Sequence, residues 1–247
     1  MRRFLIAFQF LTILPLPFTV ACEEEDLGRS MAWFPLVGLA IGAMLAGADY
    51  LLAPVLPRQV TDLLLVTLLS AVTGGLHLDG LADVCDGLAA RGSRERFLAV
   101  MKDSRIGAVG AIALVLGLGL KYEALVAVPV AYKRGVLLFF PLVARFAQVQ
   151  FTVGAQRART DGLGSAFIGG AGVVQFLIAY LVTLAAGYLL LGVQGIYCAL
   201  ILYVVTWGIK RWSHRRLGGI TGDVIGCVSE LNEIGALLIL LALLGKG

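Results

Sequence analysis

Long, nearly uninterrupted apolar segments dominate this chain, and they restrict it to the few folds that a lipid bilayer permits. A helix needs roughly 20 mostly apolar residues to cross the hydrocarbon core of a membrane. Segments of that kind recur along the 247 residues, of which 59% are hydrophobic and only 15% are charged. Soluble domains carry about a quarter charged residues. The chain is therefore predicted to be an integral membrane protein that crosses the bilayer several times.

The predicted spans are helices, because lipid offers no hydrogen-bond partner to the N–H and C=O groups of an open backbone. A transmembrane barrel would show short alternating strands, whereas these apolar runs are continuous. The expected architecture is all-α, a polytopic transmembrane helical bundle in which residues 1–247 form a single integral membrane domain. Seven spans are expected, at about residues 31–53, 59–76, 106–130, 134–153, 170–192, 195–209 and 221–245.

The N-terminal segment 4–20 is apolar but is interrupted by Pro15 and Pro17. Proline removes a backbone donor and breaks a helix. Three interpretations therefore stay open for this segment, namely a half-helix, a re-entrant piece or an additional span. A secretory signal peptide is not expected, because no small-residue cleavage site follows the apolar run.

Lysine and arginine are distributed unevenly between the two sets of predicted loops. Eleven lie near 91–105, 155–168 and 210–219, whereas four lie in the opposite loops and at the C-terminus. Short loops rich in these residues remain in the cytoplasm. The three basic loops are therefore expected on the cytoplasmic side, together with the acidic loop at 22–30. The formal charge of +4 reflects these flanks and does not indicate a surface for nucleic acid.

The segment 77–107 is polar in an otherwise apolar chain. Asp79, Asp83 and Asp86 are spaced i, i+4 and i+7, so they share one stripe of a helix. Like charges on one stripe repel each other and destabilise the helix. Mg²⁺ prefers oxygen ligands, and proteins typically hold it with a few carboxylates plus substrate phosphates. The stripe is interpreted as a magnesium site facing the cytoplasm, with solvated or helix-capping aspartates as the alternative.

Basic residues accompany the aspartates. Asp103 is a candidate fourth carboxylate, and Arg91, Lys102 and Arg105 are candidate phosphate ligands. His77 is interpreted as a polar residue at the end of a span rather than as a ligand. The four cysteines and two histidines show no zinc-binding spacing, so a structural zinc site is not expected.

The same segment resembles the signature of a known family. HLDGLADVCDG at 77–87, followed by MKDSRIG at 101–107, is similar to the pattern of the cobalamin synthase (adenosylcobinamide-GDP ribazoletransferase) family. FLTILP at 10–15 and GGITGD at 218–223 fit that family too, so the resemblance covers nearly the whole chain. It implies a Mg²⁺-dependent enzyme of the bacterial inner membrane. In the implied reaction, the 5′-hydroxyl of α-ribazole or its 5′-phosphate attacks the phosphate of adenosylcobinamide-GDP, releasing GMP and forming adenosylcobalamin or its phosphate.

Phosphoryl transfer requires positioned reactants and neutralised charge. Asp79, Asp83 and Asp86 are expected to hold Mg²⁺ at the diphosphate, and Asp86 and Asp103 are the candidate catalytic residues. Asp103 is either a further metal ligand or the base that accepts the proton of the ribazole hydroxyl. The sequence does not separate these two roles.

The turn at 218–223 precedes the last predicted span. Thr221 and neighbouring backbone amides can bind phosphate at a helix N-terminus, and Asp223 can contact a metal or a nucleotide hydroxyl. Either residue can equally be a helix N-cap. Arg145 and Glu230 lie at membrane depth, where charged residues face a cavity or pair with each other.

Two rival functions remain open at this point. DVCDGLAAR at 83–91 matches the first half of the CDP-alcohol phosphotransferase motif, but the aspartates of its second half are absent. An ion-coupled transporter would place its aspartates near the midplane on broken helices, whereas these continue into an arginine-rich loop. The expected partners are the two substrates and the lipid bilayer, without nucleic acid. A homo-oligomer, or an association with other corrinoid-assembly enzymes, is compatible with the sequence.

Overall fold

The computed structural model describes residues 2–16, 23–158 and 163–245 of the chain. Within those ranges the secondary structure is helical, and the one β contact is an isolated bridge between Arg157 and Ile220. A 3₁₀ turn at Met31–Trp33 joins the second and third helices. The α-helices are α1 Arg2–Leu11, α2 Glu24–Ser30, α3 Phe34–Leu52, α4 Arg58–Val72, α5 Leu76–Ala89, α6 Arg94–Val100, α7 Ala108–Ala127, α8 Val130–Thr152, α9 Leu163–Gly170, α10 Val173–Leu191, α11 Val193–Leu217 and α12 Gly222–Leu244.

Six helical stretches in the described residues are long and apolar enough to cross a membrane. One of them combines α2, the 3₁₀ turn and α3 into a 28-residue stretch, Glu25–Leu52. The others are α7, α8, α10, α11 and α12. These correspond to six of the predicted spans, so the prediction of an all-α polytopic bundle is confirmed.

The predicted span at 59–76 is broken in the structure. Its first part is α4, and the chain then bends by 89° before α5 begins. The bend contains Gly74 (φ +62°) and Gly75 (φ +69°), whose left-handed backbone conformations suit glycine. With 15 and 14 residues, α4 and α5 are each too short to cross a bilayer alone. The count of seven spans holds when this bent pair is counted as one.

The central helix of the bundle is α8, since 89% of its most apolar 18-residue stretch is buried. Pro141 lies inside α8 and has no N–H to offer the Leu137 carbonyl one turn earlier. A Cβ atom on Gly42 of α3 would lie 2.6 Å from that carbonyl oxygen. Small residues of this kind allow the backbones of membrane helices to approach each other closely. The sequence of α3 therefore permits direct contact with the proline-containing turn of α8.

The helices α7, α10 and α11 lie at the periphery. In their most apolar 18-residue stretches, only 28%, 17% and 28% of the residues are buried. Their exposed apolar faces suit contact with lipid. The N-terminal helix α1 has ten residues, or about 15 Å of helix, and is too short to span the bilayer. Among the three interpretations of 4–20, a half-helix agrees with α1. The continuation at 17–22 lies outside the described residues.

The three predicted basic loops meet at one end of the bundle. Arg94 donates to the carbonyl oxygens of Leu217 (2.6 Å) and Ala158 (2.9 Å). Arg216 donates to the carbonyl oxygen of Gly92 at 2.6 Å. The prediction that these loops share one side is therefore confirmed, because side chains from one loop bond to the backbone of the others.

The opposite end contains a buried ion-pair cluster. Asp62 is fully buried and pairs with Arg58 and Lys133, each at 2.7 Å. Arg58 also pairs with Asp49 at 2.8 Å. Two of the basic residues assigned to the opposite loops are thus neutralised within the fold, and this end presents fewer uncompensated positive charges than the first.

Candidate active site

A cavity of about 870 Å³ lies beside α5, at the end of the bundle where the basic loops meet. Five parts of the chain form its wall: the end of α1 with the residues after it, the turn before α5, α5 itself, the segment between α6 and α7, and α7. Its polar lining includes Gln9, Thr12, Asp79, Asp83, Lys102, Asp103 and Ser104. Its apolar lining includes Phe10, Ile13, Leu76, Leu78, Ile106 and Leu114. The predicted segment 77–107 therefore supplies most of the charged groups of one cavity.

The glycine turn before α5 positions the N-terminal segment against the cavity. The backbone N–H of Ile13 donates to the Val72 carbonyl at 2.8 Å. A Cβ atom on Gly74 would lie 2.4 Å from the Cγ2 atom of Ile13. A larger residue at Gly74 would therefore displace Ile13 and open the cavity wall.

A second close approach brings α12 behind α5. A Cβ atom on Gly80 would lie 2.4 Å from the backbone carbonyl oxygen of Asp223. The turn at 218–223 is consequently next to the aspartate helix, although Thr221 and Asp223 are not among the described residues that line the cavity. The Oγ1 atom of Thr221 accepts a hydrogen bond from the Val224 N–H at 3.3 Å. The N-cap interpretation of Thr221 is confirmed, and phosphate binding by this turn stays a prediction.

The three predicted metal ligands separate into two groups. Asp79 is exposed in the cavity and Asp83 is half-buried in its wall. Asp86 instead faces the first turn of α7, where its carboxylate oxygens accept from the N–H groups of Gly107 (2.7 Å) and Gly110 (2.8 Å). Its carboxylate therefore caps α7, and the negative charge also interacts favourably with the N-terminal end of the helix dipole.

Both glycines are needed for that cap. A Cβ atom on Gly107 or Gly110 would lie 2.4 or 2.3 Å from a carboxylate oxygen of Asp86. The sequence contained a signal for this arrangement, since a candidate helix start with glycines at its N-cap and third positions follows the aspartate. Asp86 was predicted to be a metal ligand, and a cap of the next helix was not predicted from these glycines.

Asp103 lies at the mouth of the cavity and forms a two-pronged ion pair with Arg105. The Nε and Nη2 atoms of Arg105 donate to its carboxylate oxygens at 3.0 and 2.7 Å, and the Arg105 backbone N–H donates at 3.0 Å. These bonds lower the pKa of Asp103 to about 2. Asp103 is therefore an anion under all physiological conditions. Arg105 lies outside the described cavity lining, as does the exposed Arg91 at the end of α5.

The described residues contain no group of three or more His, Cys, Asp or Glu side chains arranged to hold a metal ion. Of the three predicted ligands on α5, Asp79 and Asp83 remain in the cavity wall, one helical turn apart. Mg²⁺ is commonly bound through one or two carboxylates plus substrate phosphates. A pair of aspartates fits that coordination, whereas the predicted set of three is not assembled.

Comparison with known proteins identifies the family. A protein-family model described as "Cobalamin-5-phosphate synthase" matches residues 3–241. The chain belongs to that family. A relative from Geotalea daltonii is 64% identical over 246 residues, covering 100% of this chain and 99% of the relative. Relatives from Acetivibrio thermocellus (35% identical, 94% of each chain) and Klebsiella pneumoniae (38% identical, 98% of this chain and 99% of the relative) are more distant.

Each of these three relatives is named adenosylcobinamide-GDP ribazoletransferase. No solved structure matches the chain. The resemblance to the cobalamin-5-phosphate synthase family, which rested on the motifs at 77–87 and 101–107, is thereby confirmed. The partial match to the CDP-alcohol phosphotransferase motif at 83–91 stays a local likeness within a chain of this family.

In this member of the cobalamin-5-phosphate synthase family, a buried charged cluster joins α7, α8 and α12 inside the bundle. Lys121 of α7 pairs with Glu230 (2.6 Å) and Glu233 of α12. Arg145 of α8 pairs with Glu233 as well. Arg145 and Glu230 were predicted from the sequence to face a cavity or to pair at membrane depth, whereas Lys121 and Glu233 were not. The positions of these two residues inside apolar segments were the available signal, because charges at membrane depth pair with each other.

His77 belongs to the same interior and not to the cavity lining. Its Nε2 atom lies 3.0 Å from the amide nitrogen of Gln148, which also donates to the Ser229 hydroxyl at 2.8 Å. His77 is 3% exposed, so solvent does not reach it. The interpretation of His77 as a polar packing residue agrees with this arrangement, which ties the first turn of α5 to α8 and α12.

Proposed function

We propose that this chain is an adenosylcobinamide-GDP ribazoletransferase and that the cavity beside α5 is its active site. The enzyme transfers the cobinamide-phosphate group of adenosylcobinamide-GDP to a hydroxyl of the ribose ring of α-ribazole or α-ribazole 5′-phosphate. The 5′ position expected from the sequence is excluded for the second acceptor, because its 5′-oxygen is already esterified and the product keeps that phosphate. GMP leaves, and adenosylcobalamin or its phosphate forms. The proposal is carried by the placement of the family motif, because residues from both of its parts, including Asp79 and Asp83 from 77–87 and Lys102 and Asp103 from 101–107, line one cavity.

The two kinds of lining suit the two parts of such a substrate. Asp79, Asp83 and Lys102 form a charged region, where a diphosphate can be held by a metal and a cation. Phe10 and Ile13 contribute apolar surface suited to a ring system. A volume of about 870 Å³ accommodates a drug-sized portion of a ligand. The much larger corrinoid would extend beyond the cavity towards the open end of the bundle.

Asp79 and Asp83 would hold Mg²⁺, whose bound charge neutralises phosphate oxygens and stabilises the leaving group. Lys102 adds a point charge for the diphosphate. Asp103, with its pKa near 2, is a weak proton acceptor at neutral pH. Its fixed, anionic carboxylate is better suited to orienting the attacking hydroxyl or binding a metal than to removing the proton. The low pKa of Asp103 therefore favours the ligand role over the base role.

The active-site end is proposed to face the cytoplasm of a bacterial inner membrane. The support is the excess of Lys and Arg in the three loops that meet there, eleven against four. GMP and nucleotide-activated substrates are cytoplasmic metabolites, so this orientation gives them direct access to the cavity. Cysteine labelling from each side of the membrane, using residues introduced at 93 and 55, tests the orientation.

GMP release by the purified protein tests the function. Protein in detergent or nanodiscs is incubated with adenosylcobinamide-GDP and α-ribazole, with and without Mg²⁺, and GMP is followed by chromatography. Asp83→Asn is expected to lower turnover by at least about 100-fold, because it removes a group that acts in the transition state. Glu95→Gln, which neutralises an exposed carboxylate outside the cavity, is the matched control. Release of GMP at equal rates by both variants would contradict the assignment.

A further inference from the structure

The end of α11 carries an exposed basic and aromatic surface that the proposed reaction does not use. Trp207, Arg211 and Arg215 are four residues apart and therefore lie along one stripe of the helix. All three are exposed, with 51% of Trp207 accessible. The sequence has no acidic residue between Asp161 and Asp223, so this stripe has no neighbouring carboxylate on its own helix.

The three side chains form a built surface rather than separate charges. The guanidinium of Arg211 lies over the Trp207 ring, 4.9 Å from its centroid. Two adjoining shallow pockets, open to the surroundings and lined by residues of α11, share Trp207, Arg211 and Arg215. Among the described residues, neither Arg211 nor Arg215 forms an ion pair. Lys210, by contrast, is used within the fold, because it donates to backbone carbonyls at the end of α8.

This stripe lies at the depth of the lipid headgroups. The 25 residues of α11 extend about 37 Å, whereas the hydrocarbon core is about 30 Å thick. The apolar sequence of α11 ends at Ile209 and is followed by Lys210 and, within six residues, by three arginines, so the excess length is placed at this end of the helix. Tryptophan is favoured at that level, where its ring contacts acyl chains and its N–H reaches polar groups. Arginine at that level is attracted to anionic lipids.

We propose that the surface formed by Trp207, Arg211 and Arg215 binds the headgroup of an anionic phospholipid. Two guanidinium groups without an ion pair present planar donors to the phosphate oxygens. A zwitterionic lipid carries an ammonium that these arginines repel, so the site prefers a lipid with net negative charge. An acidic protein or a soluble phosphate compound would have no use for an exposed tryptophan at membrane depth.

The lipid site adjoins the segment that follows the aspartate helix. Arg216 lines one of the two shallow pockets and donates to the Gly92 carbonyl at 2.6 Å. Trp212, which lines the same shallow pocket, packs edge-on against Phe97 of α6, with ring centroids 6.2 Å apart. A lipid held here therefore contacts the residues that join α11 to the α5–α6 connection.

Fluorescence quenching of Trp207 tests the proposal. The chain has three tryptophans, so Trp33→Phe with Trp212→Phe leaves Trp207 as the only emitter. The protein is placed in phosphatidylcholine nanodiscs in which a tenth of the lipid is brominated near the glycerol, as either phosphatidylglycerol or phosphatidylcholine. Stronger quenching by brominated phosphatidylglycerol is expected. Each arginine should contribute about 5-fold to its local enrichment, as follows from ~1 kcal/mol per basic residue near a surface.

Matched variants separate the site from general attraction. Arg211→Gln and Arg215→Gln should each reduce the preference for phosphatidylglycerol about 5-fold. Arg134→Gln, an exposed arginine at the opposite end of the bundle, should leave it unchanged. Phosphatidylglycerol retained by detergent-purified protein with all three tryptophans, measured by mass spectrometry, should fall in the same two variants.

Three outcomes would overturn the proposal. The first is equal quenching by the two brominated lipids in the protein with both arginines. The second is an equal loss of preference in Arg134→Gln, which would indicate an unspecific surface charge. The third is abolition of the preference by millimolar inorganic phosphate or GMP at constant ionic strength, which would assign the surface to soluble phosphate compounds.

Discussion

Replacing Asp86 tests whether its carboxylate builds the start of α7 or acts in the cavity. Both oxygens accept backbone N–H bonds, at 2.7 and 2.8 Å. Asp86→Ala removes both acceptors and leaves two N–H groups of a helix first turn without their partner. Asp86→Asn keeps one carbonyl oxygen but turns an NH₂ group towards the second N–H. The alanine variant should therefore be the less stable of the two.

The size of the effect follows from the number of bonds. A hydrogen bond to a charged acceptor contributes about 1.5–3 kcal/mol, and loss of a helix cap costs about 0.5–2 kcal/mol. Asp86 is only half-buried, so water replaces part of what is lost. We expect a free energy of unfolding lower by about 3 kcal/mol for Asp86→Ala and about 1.5 kcal/mol for Asp86→Asn. These values correspond to a Tm lower by about 6–12 °C and 3–6 °C.

Thermal unfolding of the purified variants in one detergent measures this loss. Asp79→Asn is the matched control, because Asp79 lies on the same helix but faces the cavity. Its Tm should equal that of the wild type, while its GMP release should be strongly reduced. GMP release by Asp86→Asn, measured well below its Tm, should be less affected than that of Asp79→Asn. The capping account is refuted if Asp86→Ala unfolds at the wild-type temperature and yet releases no GMP.

Three other changes give distinct expected results. Gly80→Ala places a Cβ atom 2.4 Å from a backbone oxygen of α12, so it should lower both Tm and GMP release, whereas Gly119→Ala, with nothing within 4 Å, should lower neither. Arg105→Gln removes the two guanidinium bonds to Asp103 but keeps the backbone N–H bond, so the pKa of Asp103 should rise from about 2 part of the way towards the ordinary value of about 4. If ionised Asp103 is needed, the acidic limb of the pH–rate profile moves to higher pH, and the rate at pH 7 changes less. Lys121→Met removes a counter-charge from two buried glutamates, so the free energy of unfolding should fall by about 3–5 kcal/mol. Part of that loss should be recovered when one of the two glutamates is replaced by glutamine as well.

The membrane helices were predictable because their signal is local. An apolar run of the length of α10 or α12 has no stable alternative to a helix in lipid. The break in the predicted span 59–76 was less accessible. Glycine is common in membrane helices. Nothing in the sequence around Gly74 and Gly75 distinguishes glycines that bend a span from glycines that permit close packing. The contact with Ile13 and the packing of α5 against α12 decide between these roles.

The candidate site shows the same division. The motifs at 77–87 and 101–107 determined the family and drew attention to the residues of the cavity, because the chemistry of phosphate transfer requires particular side chains. The spacing of the three aspartates determined only that they share a stripe of α5. Which group each aspartate binds depends on the helix that packs beside it. The two backbone N–H groups of α7 bind Asp86 and leave Asp79 and Asp83 for the cavity.

The sequence by itself thus determined the class of fold, six of the long apolar helices, the family and the segment that carries the chemistry. All of these depend on composition, local periodicity or a contiguous motif. The tertiary structure decided which polar residues meet. It joined α1 to the cavity wall, enclosed Lys121 and Glu233 in one buried cluster, and joined Arg216 of α11 to the loop after α5. Such contacts join residues far apart in the chain, and their energies depend on burial and distance, which no local pattern of residues contains.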